Sequence, residues 1–368
     1  MSDALDALRV PGRVAGPDEG ITVDELGLAA RNHAMPMELL REDVTPPGLH
    51  YVLTHYDIPA VDPAAWRLHV DGAVRGPVTL DLASLTARPS RTVRATMECA
   101  GNGRATLTPR PLSQPWLTGA VGTADWTGVP LTDLLDEAGL ADDVVDLVFT
   151  GLDHGIERGV EQDYQRGLGV AEARGEDVLV AWAMNGAPLP VQHGFPVRLV
   201  VPGWYGMGNV KWLTRVTAAT ERFEGYQNRA YRLRQESDDE GEPVTRIEPR
   251  ALLEPPGFPD FMTRARVARP GPVPLRGRAW SGWAPVARVE VSTDDGATWT
   301  DATLGEGHGR WAWRPFTVAW EATPGEHRLR ARATDASGRV QPADPAWNRG
   351  GFTNNADQPL RVVVADPG

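Results

Sequence analysis

Between Glu236 and Pro259 the sequence reads ESDDEGEPVTRIEPRALLEPPGFP, an acidic, proline-rich stretch that divides the chain into halves of different hydrophobic period. We set a linker at 236–262 on this basis. Beyond it, PVPLRGRAW, ARVEVSTDDGATWTDATL, HRLRARATDASGRV and LRVVVA alternate apolar and polar residues, with DDG and DASG at the turns. A two-residue period of this kind predicts an antiparallel sandwich over 263–368. Ahead of the linker, strand-like runs such as VRLVVPG and VKWLTRVTAAT are mixed with helical spacing in GVPLTDLLDEAGL at 128–140. No regular βα repeat joins them, which favours an α+β core over 29–235. Residues 1–28 are acidic and punctuated by Gly and Pro, and read as a loosely packed arm.

The second half, with about seven short strands, follows the immunoglobulin-like pattern. A chain of 368 residues is longer than one hydrophobic core sustains, so two domains are expected. The formal charge of −12 argues against nucleic acid or an anionic membrane as partner, because both call for a basic face. The opening MSDALDALRVPGRVAG has no apolar run and no twin arginine, and no later stretch reaches the length of a membrane span. The expectation is a cytoplasmic chain. Its single cysteine rules out an internal disulfide framework and fits a reducing compartment.

That cysteine, Cys99, lies where a predicted strand gives way to Ala-Gly-Asn-Gly-Arg. Glycines there let backbone amides approach a ligand, and Arg104 would favour a thiolate. A thiolate suits a soft or high-valent metal, and it could equally be a nucleophile paired with His193. A second donor cluster, Arg31-Asn32-His33, follows the arm. The segment HGFPVRLVVPGWYGMGNVKWL places His193 and Arg198 ahead of a glycine-rich loop that ends at Asn209, Val210 and Lys211. Such a loop can wrap a phosphate or an extended polar cofactor. Lys211 is the single lysine among 37 basic residues, and a compact ammonium is not interchangeable with a guanidinium. Arg314 sits in an aromatic row, RWAWRPF.

RNH at 31–33, CAGNGR at 99–104, HGFPVRLVVPG at 193–203, NVKWL at 209–213, AWR at 312–314 and WNRGGFTNN at 347–355 together resemble the sulfite oxidase family of molybdenum enzymes. The resemblance covers about Ala30 to Val364. It implies a core that binds one pyranopterin dithiolene and an immunoglobulin-like domain through which a homodimer forms, with no haem domain. It further implies Cys99 as the molybdenum ligand, beside two dithiolene sulfurs. Arg31, Arg104 and Arg314 would bind the anion, and Tyr231, with Tyr226 as fallback, would be the active-site tyrosine. Asn32, His33, Asp153, His193, Arg198, Asn209, Val210 and Lys211 would hold the molybdopterin.

The reaction so implied is oxidation of sulfite to sulfate, with electrons passed to an external acceptor. Sulfite carries up to two negative charges, so a low-dielectric cleft that admits it must supply fixed positive charge. Rival readings are another oxo transfer on the same scaffold, such as nitrate or sulfoxide reduction, and a cofactor-free cysteine hydrolase using Cys99 and His193. A non-enzymatic adhesion protein would leave CAGNGR and HGFPVRLVVPG without a role.

Overall fold

The computed structural model describes residues 13–157 and 159–365; residues 1–12 of the expected arm lie outside it. The rest of the arm is not loose. Helix α1 (Val23–Arg31) is closed at its start by a capping box, in which Thr22 and Glu25 satisfy each other's backbone N–H. Glu25 also pairs with Arg110 at a buried contact, fastening the helix to the core. The signal was the T-x-x-E spacing, which the acidic composition hid.

The core domain contains β1 (Arg67–Gly72), β2 (Val78–Asp81), β3 (Arg91–Glu98), β4 (Val121–Pro130), β5 (Asp146–Glu157), β6 (Val160–Gly169), β7 (Leu179–Met184), β8 (Ala187–Pro188), β9 (Arg198–Val200) and β10 (Leu213–Ala219). One sheet runs β2-β1-β10-β5-β6, with β1 and β10 parallel and the other pairs antiparallel. The other runs β3-β4-β7-β8, with β9 also paired to β7. Helix α2 (Leu82–Thr86) starts on an Asp81 cap. Helix α3 (Leu131–Ala138) buries Leu131, Leu134, Leu135 and Ala138, the spacing of a single helical face. It is shorter than the expected 128–140 because Gly139 turns left-handed and ends it. Each leucine buried there contributes about 2 kcal/mol.

A short pair, β11 (Arg232–Leu233) and β12 (Glu242–Pro243), precedes the second domain. That domain packs β13 (Arg250–Leu253), β14 (Phe258–Pro259), β15 (Arg266–Ala268), β16 (Gly271–Trp280), β17 (Val286–Ser292), β18 (Thr300–Asp301), β19 (Thr303–Leu304), β20 (Arg314–Ala322), β21 (Gly325–Asp335) and β22 (Leu360–Val364) into two sheets. Their orders are β13-β16-β20-β19 and β14-β15-β22-β21-β17-β18. All pairs are antiparallel except β15 with β22. The 236–262 segment is therefore more than a linker: β13 is buried along its whole length and pairs with β16. Four residues of strand inside proline-rich text leave too short a period to be read.

The two domains are joined by buried polar contacts. Arg278 donates to the Leu40 and Arg41 carbonyls and to Asp43, and Trp313 Nε1 donates to the Asp43 carbonyl. Among the described residues no helix is long and apolar enough to cross a membrane.

Candidate active site

Strand β3 enters the core through its C-terminal half, where four consecutive residues are buried, and delivers Cys99 to the bottom of a double hollow. Cys99 is 6% exposed and lines both an inner cavity and an outer cleft. The inner cavity has about 640 Å³ free of protein atoms, space open to solvent included. Leu53, His55 and Tyr231 share this junction with Cys99. Gly103 holds a left-handed φ of 88°, and a Cβ there would come 2.9 Å from Asn354 Nδ2. A Cβ on Gly101 would come 2.6 Å from the Arg104 guanidinium, so glycine is what lets that side chain fold back over the loop.

Burial raises the Cys99 thiol above its ordinary pKa, and the charge of Arg104 offsets this only in part. The sequence expectation of a ready thiolate is corrected: in the absence of a metal the thiol is favoured. Metal binding would itself displace the proton. Among the described residues no histidine is hydrogen-bonded to this sulfur, and His193 Nε2 is instead 3.1 Å from the Pro47 carbonyl. Burial, reinforced by nearby His50, lowers the His193 pKa to about 2. A cysteine–histidine hydrolase is left without its base.

The inner cavity gathers His193, Arg198, Asn209, Lys211 and Asp153. Arg198 donates to the His193 and Asn209 carbonyls at 3.0 Å each, lies over Trp126, and burial lowers its pKa to about 10. Asn209 accepts from the Val201 N–H and donates to the Tyr205 carbonyl. Lys211 Nζ donates to the carbonyls of Leu53 at 2.9 Å and Gln192 at 3.1 Å, which leaves one of its three donors free. Burial lowers the Lys211 pKa and raises that of Asp153. Asp153 Oδ1 and His50 Nε2 are buried without a hydrogen-bond partner among the described residues. Orphaned buried polar atoms are rare in folded proteins and point to a missing ligand.

The outer cleft carries Arg104, Arg232, Arg234 and Arg349 against one carboxylate, Glu157. It is a positive funnel in an acidic chain. Arg104 donates to the carbonyls of Gly350 and Gln114. The Arg349 guanidinium makes no hydrogen bond or ion pair among the described residues. Asn32 reaches the cleft, bonded to Gln114 and Thr54. Tyr231, not Tyr226, lines the junction, its hydroxyl 2.9 Å from His55 Nε2.

Four expected residues fall elsewhere. Arg31 ends α1 at the rim, bound to the Tyr56 carbonyl and 3.6 Å from Asp57, and does not line the cleft. His33 is exposed, because its backbone pairs with Val52 and turns the ring outward. Val210 is core, its carbonyl taken by the Leu199 N–H. Arg314 donates to the Gly305 and Val286 carbonyls in a separate hollow of the second domain. Strand alternation explains that last case: Trp313 takes the face toward the core domain, so its neighbour faces away. Conversely, His50, His55, Glu157 and Arg349 were not singled out in the sequence. Arg349 stood inside the quoted WNRGGFTNN, and His55 inside HYVLTHYD, a run dense in rings.

The donor set fits a molybdenum–pterin group. Cys99 offers a soft sulfur ligand, Lys211 a donor for a phosphate, and Asp153 and His50 unsatisfied atoms for ring amines. Residues 55–227 match the family described as oxidoreductase molybdopterin binding domain, and residues 260–364 match the Mo-co oxidoreductase dimerisation domain. The fold and this site define a molybdopterin-binding oxidoreductase.

Sulfite oxidase of Mus musculus is 36% identical over 90% of this chain and 64% of that protein. Sulfite oxidase of Gallus gallus is 38% identical over 88% of this chain and 74% of that protein. The chain belongs to the sulfite oxidase family. It spans 64% of the length of the mouse relative. The sulfane dehydrogenase SoxCD of Paracoccus pantotrophus superposes with a TM-score of 0.79 over 100% of this chain and 93% of that one, at 24% identity, a likeness of fold.

Proposed function

We propose that this chain oxidises sulfite to sulfate, taking an oxygen from water and passing two electrons to an external acceptor. The observation that carries the reading is that Cys99 lines both the inner cavity and the arginine-bearing outer cleft. The bound molybdenum–pterin group would supply oxo transfer and two-electron redox chemistry. Cys99, Asp153, His193, Arg198, Asn209 and Lys211 are the residues that would hold it.

The protein's own part is electrostatic and geometric. Arg104 and Arg349 draw a small oxyanion down the cleft and hold its oxygens, so the sulfur faces the junction where Cys99 lies. Tyr231, held by His55, donates its hydroxyl to an oxygen of the bound anion and keeps its proton, since burial raises the phenol well above its usual value. We infer that the chain works in the cytoplasm without a haem, as a homodimer through an immunoglobulin-like C-terminal domain.

The test is metal and pterin analysis of the purified protein, followed by sulfite-dependent reduction of an artificial acceptor. Stoichiometric molybdenum with sulfite turnover supports the reading. Molybdenum with turnover only of nitrate or a sulfoxide moves it to the sister reaction, and absence of both metal and turnover overturns it.

A further inference from the structure

Glu98, the residue before Cys99, is buried beside Arg250 of β13, each side chain only 1% exposed, with Arg250 Nε 3.1 Å from Glu98 Oε1. Glu98 also accepts from Asn102 Nδ2 at 3.0 Å and from Trp280 Nε1, in the second domain, at 2.8 Å. The other end of Arg250 donates to the Asn354 carbonyl, and the Asn354 side chain donates to the Gly103 carbonyl at 2.8 Å. The neighbouring Thr353 N–H donates to the Ala100 carbonyl at 2.8 Å. One guanidinium from the second domain thus grips both flanks of the loop that carries Cys99.

Stability alone does not account for this pair. A buried ion pair contributes no more than a well-packed apolar pair in its place, and often less. This one also leaves Arg250 Nε and Nη1 buried without a hydrogen-bond partner among the described residues, so its contact with Glu98 is an ion pair without hydrogen-bond geometry. Its contacts converge on positions 98, 102 and 103, so what it determines is where the sulfur between them points. Residues outside the ligand shell commonly orient a ligand in this way.

We propose that Arg250, acting through Glu98 and Asn354, is a positioning residue for Cys99, so that the second domain sets the geometry of the metal ligand. This rests on the reading of Cys99 as the molybdenum ligand.

The experiment compares the wild-type full chain with Glu98→Gln/Arg250→Met, which removes both charges and keeps the volume, and with Arg250→Lys, which keeps the charge but reaches fewer partners. The expected result for the double variant is a melting temperature near wild type. Its molybdenum is lost about tenfold faster on dialysis. Its kcat is lower, and its KM for sulfite is unchanged because Arg104 and Arg349 are untouched. Arg250→Lys falls between, and carries the test should the double variant not fold. Wild-type metal retention and kcat in the double variant would overturn the proposal. If the wild type itself takes up no molybdenum, the cofactor reading fails instead. The clamp is then decided by Cys99 alkylation in the metal-free chain, severalfold faster in the double variant if the clamp exists and unchanged if it does not.

Discussion

The Tyr231 hydroxyl lies 2.9 Å from His55 Nε2, and both rings stand with Cys99 where the inner cavity opens into the outer cleft. Burial lowers the His55 pKa and raises that of Tyr231, so the pair is neutral across the neutral range. Tyr231→Phe removes the hydroxyl and keeps the ring on Phe352, 4.8 Å between centroids. Its cost to stability is about 1 kcal/mol, while kcat with sulfite falls by about tenfold or more. Single-turnover kinetics with an unfolding curve separate the two effects, and an unchanged kcat counts against a role for the hydroxyl.

Arg349 and Arg314 make opposite predictions. The free guanidinium of Arg349 lines the cleft, so Arg349→Ala raises KM for sulfite about tenfold to a hundredfold, the worth of a charged hydrogen bond. Arg314 is engaged with backbone carbonyls in another hollow, so Arg314→Ala leaves KM unchanged. Arg31→Gln, at the end of α1 with its charge acting on Lys211, changes KM less than Arg349→Ala. Steady-state KM values for the three variants check the ordering.

Lys211 is held by two carbonyls and lies 4.3 Å from the centroid of the Trp212 ring, with one donor left for a ligand. Lys211→Met lowers pterin retained after gel filtration by about tenfold. Lys211→Arg does not restore it, since a planar fork does not fit contacts made for a compact ammonium. Full retention in Lys211→Arg would show that charge alone suffices.

Stability should fall in mild acid. Burial lowers the His50 pKa to about 4, and its Nδ1 donates to the Tyr51 carbonyl as a neutral imidazole. The unfolded chain takes up that proton near pH 6.5. The folded value is the lower one, so stability is fully present above about pH 6.5 and is lost as the pH falls towards about 4, by about 3 kcal/mol. Urea unfolding of the metal-free chain at about pH 7 and about pH 5 should show this slope, and His50→Leu should make it shallower, the remainder coming from His193, whose pKa burial lowers further. An identical slope in the variant would assign the effect elsewhere.

How far the site was legible in the sequence depended on whether a residue's role is local. CAGNGR and HGFPVRLVVPG carry their function in glycines and in residues that fold back within the same loop, and Cys99, Arg104, His193, Arg198 and Lys211 all line the hollows. The RNH cluster at the end of a helix divides: Asn32 turns in to the cleft, whereas Arg31 binds the Tyr56 carbonyl and His33 is exposed. Arg314 and Arg349 could not be told apart by residue type, since Arg314 opens a strand and turns to carbonyls of its own domain while Arg349 sits in a turn that reaches the cleft. The clamp at Glu98 was invisible, as its partner Arg250 lies 152 positions away inside a strand that proline-rich text concealed.

The account stands on sulfur coordination by Cys99, and the most direct measurement is molybdenum X-ray absorption on the wild type and on Cys99→Ser. One sulfur neighbour fewer around the metal in the variant is the predicted result. An unchanged sulfur shell, with molybdenum still bound, would contradict it.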